Sequence, residues 1–171
     1  MRAGQHTWYN DLAPALLPTI AKGFNARFLY DPGMDGDIQG QDDYFAYGLQ
    51  RNLAVAHTAV VDTIDYQDDA AFAANVDGFP ADNFIGEWTG LVEISQGGSY
   101  TFSSTSDDGS HVWINGALVV SNGGFHGPET VSGTVMLDAG HHRVKVDFFE
   151  ATVNPRILNS KPQAASPKPK P

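Results

Sequence analysis

Twenty carboxylates and six histidines, with no cysteine, are the side chains of this 171-residue chain that could do chemistry. The histidines show no metal-ligand spacing such as His-Glu-x-x-His. His141 and His142 are adjacent on an expected strand and point to opposite faces, so they cannot clamp one ion together. Gly-x-Ser-x-Gly is absent, and the lack of cysteine removes thiol nucleophiles, disulfides and thiolate metal sites. No residue set fills the roles of nucleophile, base and oxyanion donor, so the expectation is a binding protein and not an enzyme. Carboxylates therefore carry the interest. Asp107 and Asp108 sit side by side in Ser106-Asp-Asp-Gly-Ser110. A second acidic cluster, Asp31-Pro-Gly-Met-Asp-Gly-Asp37 with Asp42 and Asp43, lacks the EF-hand ligand order and reads as a solvated loop. Between two later hairpins, Ser121-Asn-Gly-Gly-Phe-His-Gly-Pro128 offers one flat ring among polar groups. Either Phe125 stacks on a sugar while Asn122 and His126 bond its hydroxyls, or Phe125 plugs the end of the fold and the glycines serve turns.

Charge narrows the partners. Ten basic residues against twenty acidic ones give −10, and with Lys161, Lys168 and Lys170 set aside, residues 1–160 carry 20 acids and 7 bases, or −13. Such a body repels nucleic acid and anionic lipid heads, whereas cations and neutral sugars are easier partners. No run approaches 18 apolar residues, so no membrane span is expected. Leu12–Ala21, broken by two prolines, reads as mature chain and not as a secretion signal. No Asn-x-Ser/Thr sequon occurs.

The elements that must position these groups are strands. Phe24–Tyr30 and Ala59–Asp65 are candidates, and the signal strengthens from Gly86: Glu87–Ile94, Ser99–Ser104, Ser110–Ile114, Ala117–Val120, Thr130–Leu137 and His141–Phe149. Asn115-Gly116 is the pair a type I′ hairpin turn prefers, because both positions need positive φ. Val144, Val146 and Phe148 alternate with Arg143, Lys145 and Asp147, which predicts one buried and one wet face. Short helices around Gln41–Val55 and Asp68–Asn75 are expected to cap loops rather than build a layer, while Trp88 and Trp113 are expected to fill the core. The reading is all-β: a two-sheet antiparallel β-sandwich, jelly-roll-like, with long N-terminal loops and an extended Pro-rich C-terminal tail. Residues 1–23 form an N-terminal extension, 24–160 the binding domain, and 161–171 a Pro/Lys-rich tail or linker in polyproline II.

Trp88-Thr-Gly90, Gly98-Ser-Tyr-Thr-Phe102, Ser106–Gly116, Leu137–Val146 and Phe148-Phe-Glu150, in that order, resemble the protective-antigen domain family of anthrax toxin, yeast flocculins and adhesins, and inserts of some glycosidases. The likeness covers roughly residues 24–153 and is tight over 86–150. It implies a sandwich. In the sugar-binding branch it also implies that the paired aspartates, joined by a cis peptide, coordinate a calcium ion that holds two sugar hydroxyls. Asp107 and Asp108 occupy those positions, and Asn154 is the carried-over third ligand, although an Asn154-Pro155 turn explains it as well. The alternative for the aspartates is turn chemistry, with their carboxylates bonding backbone N–H groups. Glu150 reads as a strand end. The sequence departs from the family after Glu150, where no tryptophan closes the last strand.

Three functions follow as expectations. The first is a calcium-dependent carbohydrate-binding, lectin-like module of an extracellular adhesin or cell-surface protein, with a glycan or glycoprotein as partner. The second is a structural module of an extracellular matrix, fibre or appendage that contacts neighbouring subunits. The third is an ancillary glycan-binding module of a glycosidase.

Overall fold

The computed structural model describes residues 23–34 and 38–152. Asn154, the first 22 residues and the Pro/Lys-rich tail lie outside them. Eight strands and two short helices run in the order β1 (Phe24–Tyr30), α1 (Tyr44–Gln50), β2 (Val55–Val61), α2 (Asp69–Asn75), β3 (Phe84–Ile94), β4 (Gly98–Ser106), β5 (Ser110–Ile114), β6 (Ala117–Asn122), β7 (Glu129–Leu137) and β8 (Gly140–Glu150). They form a six-stranded antiparallel sheet, β2-β1-β3-β8-β5-β6, against a two-stranded one, β4-β7. The sandwich expected from the sequence is the fold found.

Local chemistry explains most boundaries. Asn115 (φ 52°) and Gly116 (φ 86°) make the β5–β6 turn in the left-handed conformation expected of Asn-Gly. Each helix begins on an aspartate: Asp43 accepts from Ala46 N and Asp68 from Ala71 N, both at 2.8 Å. The second strand starts and ends four residues earlier than expected, pairing Phe24 with Val61 and Leu29 with Val55. The chain then leaves the sheet, and Ile64 packs on an aromatic cluster instead of continuing the ladder.

The two faces of the large sheet differ. One holds Phe28, Phe84 and Trp88 against Phe72 and Val76 from the α2 region, continuing into Val112, Ile114, Val120, Ile94 and Val144 beneath the small sheet. Phe28 meets Trp88 edge-on at 5.4 Å and Phe72 at 5.6 Å. Gly133 lets β7 approach this layer, since a Cβ there would lie 1.7 Å from the Val119 carbonyl oxygen.

The other face was expected to be wet on β8, and it is so only in part: Arg143 is exposed and Lys145 partly so, but the face dries towards α1. Asp147 is fully buried, and His111 beside it is 2% exposed. Two sequence expectations fail together here. Helix α1 does not merely cap a loop: it buries Tyr44, Phe45 and Gly48 over Leu29, Ile85 and Phe149. Trp113 is half-buried on this polar face and not in the core, donating from Nε1 to Asp147 Oδ2 at 3.2 Å beneath the Lys145 ammonium. Alternation reports which side chains share a face, but a covering layer that comes from elsewhere in the chain decides whether that face is wet.

Candidate functional site

Strand β4 ends at Ser106 and β5 begins at Ser110, so Asp107, Asp108 and Gly109 form the corner between the small sheet and the large one. A hydroxyl cluster fixes that corner. Ser110 Oγ lies 2.7 Å from Ser104 Oγ and 2.8 Å from Ser106 Oγ, and Asn122 Nδ2 donates to Ser106 Oγ at 3.0 Å. Gly109 admits no side chain: a Cβ would stand 2.5 Å from the Phe149 ring and 2.8 Å from Tyr44 Oη. Its carbonyl accepts from Phe149 N at 3.0 Å, tying the corner to β8. The Asp107–Asp108 peptide is cis.

The two aspartates differ in environment. Asp107 is exposed, whereas Asp108 is 4% exposed and accepts from His126 N at 3.2 Å and from Ala151 N at 3.1 Å. Burial pushes the Asp108 carboxyl above the usual range, while those two N–H bonds pull it down. Glu150, the last residue of β8, completes the group. One ligand oxygen from each of Asp107, Asp108 and Glu150 lies within 4.8 Å of the others. Burial, then the charges of Asp108 and Asp107, raise the Glu150 carboxyl to about 8. Among the described residues, neither Asp107 nor Glu150 has a hydrogen-bond donor or a basic side chain as partner.

The glycine-rich loop after β6 adjoins this cluster through its backbone. Gly124 N donates to Tyr44 Oη at 3.1 Å, and His126 N serves Asp108. Phe125 is partly buried and packs edge-on against Phe149 at 5.0 Å. The His126 ring nitrogens face the carbonyls of Gly127, at 2.8 Å, and Asn122, at 3.3 Å. Asn122 is buried, with its amide directed at Ser106 and the Glu129 carbonyl. The structure thus brings Asp107, Asp108, Phe125 and His126 to one end of the sandwich and sets Asn122 inside, supporting the corner.

Glu150 is the acidic partner that sequence reasoning passed over, having read it as a strand end. It is both. Its place follows from register: Ser110 pairs with Phe148, so the residue two further along β8 on the same face arrives at the start of β5. Tyr44 was also missed, because nothing local to it signals that its hydroxyl holds a loop eighty residues away.

An all-β sandwich with an acidic corner between its sheets matches a known class, and the chain belongs to the PA14 domain family, whose pattern matches residues 44–165. Over 70 residues, 40% of this chain, it is 29% identical to the anti-sigma-I factor RsgI3 of Acetivibrio thermocellus, and the match spans 11% of that protein. Among solved structures, an anti-sigma factor domain-containing protein superposes with a TM-score of 0.54 at 18% identity, over 78% of this chain and 40% of the other. A PA14 sugar-binding domain from an RTX adhesin gives 0.56 at 20% identity, over 75% of this chain and 82% of that domain. At these identities the likeness establishes the fold. No helix among the described residues is long and apolar enough to cross a membrane.

Proposed function

We propose that the chain is a calcium-dependent glycan-binding module of an extracellular or cell-surface protein, with its cation held by Asp107, Asp108 and Glu150. The observation that carries the reading is the convergence of three carboxylates, of which Asp107 and Glu150 have no basic partner among the described residues. Like charges this close are relieved either by protons, as the raised Glu150 carboxyl records, or by a cation. The donors fit calcium, which takes six to eight hard oxygens, and Asn154 in the following segment is a further candidate. Bound there, calcium would offer open coordination positions to two neighbouring sugar hydroxyls. The remaining work belongs to the chain. Asp108 is fixed by two backbone N–H groups, and Asp107 faces solvent where a ligand arrives. Phe125 and His126 line the adjoining loop. The shared fold of a sugar-binding adhesin domain favours a glycan as that ligand.

Titrating calcium-loaded protein with a glycan array's strongest hits tests this. Binding should vanish with chelator and return with calcium, whereas binding indifferent to chelator would refute it.

One observation favours a second reading, that of a structural module. Asp108 joins the loop at His126 to the end of β8 at Ala151, which is turn chemistry in its own right. Asp107 separates the two readings, since it makes no such bond among the described residues.

A further inference from the structure

The described residues include four basic side chains, Arg27, Arg51, Arg143 and Lys145. Three of them meet carboxylates: Arg27 pairs with Glu87, Arg51 with Asp31 at 3.2 Å, and Lys145 with both Asp43 and the buried Asp147. Arg143 has no carboxylate partner among the described residues, although seventeen acidic residues stand in the same segments. A guanidinium without a carboxylate partner among the described residues is an exception in so acidic a domain, and its position is concave. It stands on the rim of a groove of about 460 Å³ whose walls include Trp113, Thr89, Lys145 and the Asn115-Gly116 turn. The rim is rigid. Asn115 N donates to the Arg143 carbonyl at 2.9 Å, and Asn115 Oδ1 accepts from Arg143 N at 3.0 Å, so the β5–β6 turn holds the β8 backbone from both sides.

We propose that this groove is a second ligand site, for a carboxylate-bearing sugar such as a hexuronate residue. The polar inventory argues for that class. The Asn115 amide is occupied by Arg143 N and His142 Nδ1, and the Trp113 N–H by Asp147. The Asp43 carboxylate in the same lining is occupied by Ala46 N and the Lys145 ammonium, which leaves the Arg143 fork, one of the three Lys145 donors, and the Thr89 hydroxyl beside the half-buried indole of Trp113. A planar guanidinium matches a carboxylate through two parallel bonds. A hydroxyl and an apolar wall suit the rest of a sugar ring, and the volume is that of a small-ligand cleft, larger than a lone anion needs. Roughly 20 Å of β5 and its flanking turns, at about 3.3 Å per residue, separates the groove from Asp108. The proposal is therefore independent of calcium.

Calorimetric titration of the full chain with a trimer of galacturonic acid, in chelator, tests it. Saturable binding is expected, at least ten-fold weaker for the methyl-esterified trimer, in which the rings remain and the charge is gone. Acetate should not compete at matched concentration. Arg143→Gln, an exposed change whose fold is checked by circular dichroism, should weaken the trimer at least ten-fold, and Arg143→Lys should restore only part. The trimer should shift the Trp113 indole N–H resonance, while Asp107→Asn leaves its affinity unchanged. No binding, equal binding of the ester, an undiminished Arg143→Gln, or displacement by acetate would each overturn the assignment. Failure of calcium to bind at Asp107 would leave it standing.

Discussion

The face of the six-stranded sheet that meets β4 and β7 is apolar except at the acidic corner, where Ser110 and Asn122 bond Ser106, whereas the face beneath α1 is divided. Half of that second face is Leu29, Ile85 and Phe149 under Tyr44 and Phe45; the other half is Asp147, His111, Trp113 and Lys145. Tyr44 joins the halves. Its ring stacks on His111 at 4.7 Å and 6°, and its hydroxyl accepts from Gly124 N in the loop that serves Asp108. Burial and the negative charges around it push that phenol up to about 12, so it stays protonated at all ordinary pH. The apolar face holds the sheets together, and the divided face holds the acidic corner in place. The difference teaches that a side chain's burial and its purpose come apart: Asp147 is as dry as Phe28 and acts through its partners.

Truncation on the two faces should separate those roles. Trp88→Ala removes the centre of the aromatic cluster and should cost about 3–5 kcal/mol of stability in urea unfolding, with calcium affinity per folded molecule little changed. Asp147→Ala should cost about 3 kcal/mol, because Lys145 and the Trp113 N–H lose their common buried acceptor and His111 loses the carboxylate 3.4 Å from its Nδ1. Unlike Trp88→Ala it should also broaden the amide resonances of α1 and of the loop at Gly124. If both variants perturb that loop alike, the distinction between the faces fails. A smaller change sharpens the comparison. In Gly123→Ala a Cβ would fall 2.5 Å from Tyr44 Oη, so a loss of about 1–2 kcal/mol is expected together with weaker calcium binding.

Proton linkage gives a third contrast. The Glu150 carboxyl, raised from 4.5 to about 8 in the folded chain, retains a proton there that the unfolded chain has lost. Its contribution to stability without calcium is therefore full below about pH 4.5 and falls as pH rises towards about 8. Calcium affinity should move the other way, rising with pH until about 8 as the competing proton leaves. Both slopes are measured as differences between wild type and Glu150→Gln, and equal slopes in the two proteins would remove Glu150 from the site.

The sequence carried the strands of the apolar face clearly, since Val144, Val146 and Phe148 and the Asn115-Gly116 turn are local signals that tertiary packing reinforces. The divided face was not legible. Arg143, Lys145 and Asp147 look like a solvent row, and only the distant α1 and the His111–Asp147 contact of 3.4 Å dry part of it. The acidic corner was half legible. Asp107 and Asp108 stand out as neighbours, but Glu150 joins them through the β8–β5 register, which no local pattern encodes. Asn122 shows the converse, a polar residue that reads as a ligand in a loop and instead ends β6, buried as a brace.

Asp107 offers the most direct test, because among the described residues it has no hydrogen bond to lose. Calcium titration of wild type and Asp107→Asn, paired with urea unfolding in chelator, should show one site in wild type with a dissociation constant of about 10⁻⁴ to 10⁻³ M. The variant should lose that site and keep its stability to within about 0.5 kcal/mol. A wild type that takes up no calcium, or a variant that binds it undiminished, would contradict the claim that these carboxylates form a cation site.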